Sequence, residues 1–67
     1  MLSGRNQFPG VVKSVTRGDL MAKVVVTVGQ LEIVSTITRA SADALSLQVG
    51  DQVRTIIKST EVIIDKP

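Results

Sequence analysis

The run Val24-Val25-Val26-Thr27-Val28-Gly29-Gln30-Leu31-Glu32-Ile33-Val34 sets two stretches rich in β-branched residues on either side of a two-residue break. Val, Ile and Thr are stiff at χ1 and pack well on a pleated surface, and Gly29 can take φ > 0 in a tight turn. The run predicts an antiparallel hairpin with strands over Leu20–Val28 and Leu31–Thr38. Apolar side chains at 24, 25 and 26 fall on both faces of their strand, which predicts that both faces are buried. On the next strand Leu31, Ile33 and Ile37 share a face with Ser35, and Glu32, Val34, Thr36 and Thr38 lie opposite.

Towards the N-terminus, Gln7 to Thr16 alternates, with Val11, Lys13 and Val15 on one face and Phe8, Gly10, Val12 and Ser14 on the other. This reads as a first strand. Pro9 cannot donate to a ladder and belongs at a strand start or edge, and Gly10 beside it points to a bend or bulge. Arg17-Gly18-Asp19 is a turn. It also spells an integrin-binding tripeptide, but three residues recur by chance and nothing else points to an extracellular setting.

Towards the C-terminus, Ala40 to Leu45 is the one helix-like segment, at most two turns, with Thr38 as N-cap and packing through Leu45 and Leu47. Val49-Gly50-Asp51 turns into a fourth strand, Gln52 to Lys58, and Glu61 to Asp65 forms a short fifth around Val62-Ile63-Ile64. Asp65-Lys66-Pro67 is read as a frayed tail. Five short strands with one helix between the third and fourth predict an all-β domain, a small five-stranded OB-type barrel spanning residues 1–67 as a single unit.

A chain of 67 residues buries only about 60% of its unfolded surface. With no cysteine and no histidine it has neither disulfides nor a conventional zinc site to compensate. Hydrophobic residues make up 43%, nearly all aliphatic, so the composition predicts burial against other subunits. The formal net charge of +2 is spread along the chain without a basic run. No apolar stretch approaches the roughly 20 residues of a membrane span, and Met1-Leu2-Ser3 opens no signal peptide, so a cytoplasmic location is expected.

Catalysis is not expected. No His or Cys is present as base or nucleophile, and Lys58 and Ser59, adjacent on a strand, would point to opposite faces. Oligonucleotide binding on such a barrel uses aromatic platforms, and Phe8 is the sole aromatic residue. A small nucleic-acid or protein-interaction module is the alternative reading, with nucleic acid disfavoured. The same scarcity of aromatics argues against a pterin or cofactor carrier.

Oxyanion binding fits better, because one chemistry recurs at three places. Ser3-Gly4-Arg5-Asn6-Gln7, Ile37-Thr38-Arg39-Ala40-Ser41 and Lys58-Ser59-Thr60 each combine hydroxyls with a fixed positive charge. The helix start adds main-chain N–H groups. Each stretch also has a plain structural reading. Thr38 and Ser41 serve equally well as ordinary caps, Lys58 as a solvated edge charge, and Ser59 and Thr60 as turn formers.

These three stretches, together with Leu47-Gln48-Val49-Gly50-Asp51 and the continuation to Glu61-Val62, resemble the Mop family, the molbindins, over essentially the whole chain. The same module occurs as the transport-associated OB (TOBE) domain. The resemblance implies a cytosolic homohexamer, a trimer of dimers, that binds molybdate or tungstate at subunit interfaces and stores or buffers it. It implies Ser3, Arg5, Lys58 and Ser59 as oxyanion contacts from one subunit and Thr38 and Ser41 from its neighbour. Asn6 and Gln7 would tie the N-terminal segment to the partner, and Gly4 stands where the family often has alanine. No cofactor is implied, and the metal stays inside an intact oxyanion with no side-chain ligand. A site made of donors alone penalises phosphate, whose remaining proton needs an acceptor. Sulfate must be rejected by size, and molybdate and tungstate are too alike to be separated strongly.

Overall fold

The structure is a computed structural model and describes residues 5–67. Its elements are β1 (Asn6–Arg17), β2 (Met21–Val28), β3 (Leu31–Thr38), α1 (Arg39–Ala44) and β4 (Gln52–Ile57), followed by a 3₁₀ turn at Ser59–Glu61. The strands form one antiparallel sheet in the order β3-β2-β1-β4.

The hairpin forms as its sequence predicts. Val28 pairs with Leu31 across the two-residue turn, and Gly29 takes φ 59° as its first residue, the position where a type II′ turn needs glycine. The long strand β1 serves two neighbours in succession. Asn6 to Val11 pairs with β4, and Val11 to Arg17 pairs with β2. Pro9 lies in the stretch paired with β4 alone, where a missing donor leaves no gap in a second ladder.

The irregularity in β1 is a register shift between Val12 and Ser14, not a bend at Gly10. The Val12 N–H donates to the Asp51 carbonyl (2.9 Å), and the Val12 carbonyl accepts from Gly50 (2.8 Å). The loop before β4 thus takes over from the β4 ladder at that point. The bulge also breaks the strict alternation expected, since Val12 is buried while Val15, not Ser14, packs against the core. Gly10 answers to a different need, close approach. A Cβ there would sit 2.6 Å from the Thr27 carbonyl oxygen and 2.7 Å from Val26 Cγ1.

The core is Val12, Ala22, Val24, Val26, Ala42 and Leu47. It lies on one face of the sheet, under α1. Val24 and Val26 are buried and Val25 only half so, which corrects the expectation of two buried faces within one copy. The helix docks through Ala42 and the residue after its last turn, Leu47, whereas Leu45 is 67% exposed. Ser46 at φ 51° turns the chain out of the helix, and Leu47 after it joins the core with its N–H donating to the Ala42 carbonyl (3.1 Å).

The fifth strand is absent. After β4 the 3₁₀ turn redirects the chain, and Val62 is extended (φ −87°, ψ 122°) without a ladder partner. Ile63 and Ile64 are 91% and 85% exposed. The run has the β-propensity the sequence reading weighed, but no strand of its own copy receives it. Among the described residues the sheet is open and four-stranded, not a closed five-stranded barrel.

Candidate functional site

The anion-binding candidates fall into two groups at different places on the sheet. The first is built by the β1–β4 pairing. Asn6 is opposite Ile57, and its side-chain amide donates to the Ile57 carbonyl (3.3 Å). One residue further out on each chain are Arg5 and Lys58, with Ser59 next, so the antiparallel register gathers two cations and a hydroxyl at one end of the ladder. All three residues are exposed, and neither Arg5 nor Lys58 enters an ion pair among the described residues. Ser3, with Gly4, lies outside the described residues. The Asn6 amide ties this segment to β4 of its own chain.

The second group sits at the β3–α1 junction. Thr38 is the N-cap, and its Oγ1 accepts from the Ser41 backbone N–H (3.1 Å) and lies 2.7 Å from Ser41 Oγ. The capping role weighed for both residues is therefore present. It also uses up donors that the sequence offered to an anion, since the Ser41 N–H is engaged by Thr38 and the Arg39 N–H by the Leu20 carbonyl (2.8 Å). What this group presents outward is two exposed hydroxyls held in a fixed relation.

Arg17 and Asp43 hold that junction in place. The Arg17 guanidinium donates through Nε to Asp43 Oδ1 (2.9 Å) and through Nη2 to the Leu47 carbonyl (2.9 Å). Arg39 reaches the same carboxylate at 3.6 Å. The sequence showed Arg17 only as part of a turn, and nothing in its local pattern marks a partner 26 residues away. A similar brace fixes the loop before β4, where the Gln48 N–H donates to Asp51 Oδ2 (2.9 Å).

The two groups cannot meet within one copy. Thr38 pairs with Met21 beside the Arg17 end of β1, whereas Arg5 adjoins its Asn6 end. Twelve residues of β1 separate them, roughly 35 Å of strand. No hydrogen bond or ion pair joins the groups among the described residues. No set of three or more Asp or Glu residues clusters at metal-binding distance among the described residues either. Among the described residues no helix is long and apolar enough to cross a membrane.

A TOBE domain family model matches residues 2–64. The chain is 40% identical over 63 residues to the molybdenum transport protein ModE of Herbaspirillum seropedicae, of which it spans 23% of the length. It is 36% identical to a probable molybdenum-pterin-binding protein of Haemophilus influenzae, covering 94% of this chain and 93% of that one. A solved molybdate-binding protein from Sporomusa ovata superposes with a TM-score of 0.94 at 38% identity, covering 98% of both chains. The chain belongs to the TOBE domain family, and within it groups with the short, single-module Mop-type proteins as well as with one part of the longer ModE.

Proposed function

We propose that this chain binds molybdate, and tungstate alike, as an intact oxyanion in sites shared between copies of a cytoplasmic homo-oligomer that stores or buffers the anion. In each site Arg5, Lys58, Ser59 and Ser3 come from one copy, and Thr38 and Ser41 from a neighbour. Two cations balance a dianion, and the hydroxyls supply neutral donors that fit oxygens at tetrahedral directions. The role is binding, not turnover.

The observation that carries this reading is the separation of the two groups along β1. Cations without hydroxyls from the junction, or the reverse, make half a site, and a second copy supplies the other half. The thin core of six small aliphatic residues supports the same conclusion, since a single copy leaves Leu20, Leu31, Val34 and Val49 58–80% exposed. A hexamer built as a trimer of dimers is the assembly this reading expects.

Native mass spectrometry of the purified protein, with molybdate and separately with sulfate at equal concentration, tests it. Discrete molybdate masses on an oligomer, absent with sulfate, are expected. A monomer that gains no mass from molybdate would overturn the proposal.

A further inference from the structure

The junction that carries Thr38 and Ser41 also carries a cation that the proposed site does not use. Arg39 stands between them in the chain, yet its guanidinium is turned back towards the β1–β2 turn. Its Nη1 donates to the Gly18 carbonyl (3.3 Å), and its Nε lies 3.6 Å from Asp43 Oδ2, one helical turn on. Asp43 Oδ1 accepts from Arg17 Nε at the same time (2.9 Å). One carboxylate thus holds two guanidiniums, one through each oxygen. Docking of the helix does not depend on the second of these. Arg17 also reaches the Leu47 carbonyl (2.9 Å), and Ala42 and Leu47 pack in the core. What Asp43 adds is a tether on Arg39, whose bond to Gly18 is long and exposed by itself.

We propose that Asp43 is a specificity-determining residue: by holding Arg39 away from the Thr38–Ser41 hydroxyls, it keeps the anion site selective for the larger oxyanion. This rests on the shared-site reading and deepens it. Arg5 and Lys58 already balance a dianion, and the hydroxyl pair is fixed by the cap. A smaller tetrahedron such as sulfate cannot reach every fixed donor at once. A guanidinium free to swing on its long side chain would follow the smaller anion inward and replace the missing contact. Molybdate, which spans the fixed donors, has less to gain. Specificity rests on what a site withholds as well as on what it offers, and here the withheld group is Arg39.

Asp43→Asn keeps an acceptor for Arg17 Nε in the same place and removes the charge that holds Arg39. Equilibrium dialysis of wild type and variant against molybdate, and separately against sulfate, gives the ratio of the two dissociation constants. A charge-assisted hydrogen bond at a half-exposed position is worth about tenfold, so sulfate should bind about tenfold tighter to Asp43→Asn while molybdate changes by less than about threefold. Adding Arg39→Gln to Asp43→Asn should restore the wild-type ratio, a rescue that a merely structural role of Asp43 would not show. Arg39→Lys, made in parallel, leaves the Arg17–Asp43 brace whole and replaces the fork by a mobile point charge, so it should shift the ratio the same way even where Asp43→Asn does not fold. A sulfate affinity that neither variant raises overturns the inference, as does a gain that persists once Arg39 is replaced by glutamine. Wild-type protein that binds neither anion removes the functional reading and this inference with it. Wild-type protein that selects molybdate, with both variants selecting it equally well, removes this inference alone.

Discussion

Replacing Gly10 by alanine probes the packing that aligns the cation-bearing half of β1. The added Cβ would sit 2.6 Å from the Thr27 carbonyl oxygen, 2.7 Å from Val26 Cγ1 and 2.9 Å from Val28 Cγ2. Ordinary contact would need each gap wider by several tenths of an ångström or more. Val26 is in the core and Thr27 presents main chain, so neither can rotate aside, and β1 and β2 must separate. Overpacking of this kind costs about 1–3 kcal/mol, and the upper part of that range applies because a backbone atom is struck. Alanine restricts the unfolded chain and recovers about 0.5–1 kcal/mol of it. The net loss is about 2 kcal/mol, and at about 4–8 °C per kcal/mol for a domain this size the melting temperature should fall by roughly 8–16 °C. Thermal and urea melts at fixed protein concentration measure it, since assembly makes stability concentration-dependent. A variant melting within a degree or two of the wild type would refute the β1–β2 approach described here.

Arg5→Ala should weaken molybdate binding by about 1.5–3 kcal/mol, roughly ten- to over a hundredfold, in equilibrium titrations. Melting curves of that variant without anion should barely move, because exposed Arg5 makes no ion pair among the described residues. Thr38→Val removes the N-cap of α1 and should cost about 1 kcal/mol in urea unfolding, while Thr38→Ser should keep most of it. Arg17→Met leaves Asp43 with Arg39 alone and takes the side-chain donor from the Leu47 carbonyl, and should cost about 1–2 kcal/mol by the same measurement.

The hairpin and the N-cap were legible in the sequence because each depends on neighbours in the chain. Gly29-Gln30 sets its own turn, and Thr38 finds its hydrogen-bond partner three residues on. What the sequence could not show depends on distant partners. The bulge beside Val12 exists because the loop at Gly50 and Asp51 bonds there, almost forty residues away. Leu47 packs as expected, but Ala42 and not Leu45 packs beside it, and the positive φ at Ser46 that leads the chain to Leu47 is something no pattern of apolar residues reveals. Val62–Ile64 has the composition of a strand, but in its own copy it pairs with neither outer strand of the sheet. The candidate site was read as a set of residue types; that its two groups of residues stand at opposite ends of β1 emerges only from the register.

The shared site is tested most directly by mixing two variants, Arg5→Ala and Ser41→Ala, each impaired in molybdate binding alone. Ser41→Ala spares the cap, because Thr38 is bonded to the main-chain N–H of residue 41. After the copies are dissociated and reassembled at equal amounts, a site built across two copies takes its cation from one variant and its hydroxyl from the other in about a quarter of cases. The mixture should recover about a quarter of the wild-type number of high-affinity molybdate sites. No recovery beyond the average of the two separate variants would contradict a site divided between copies.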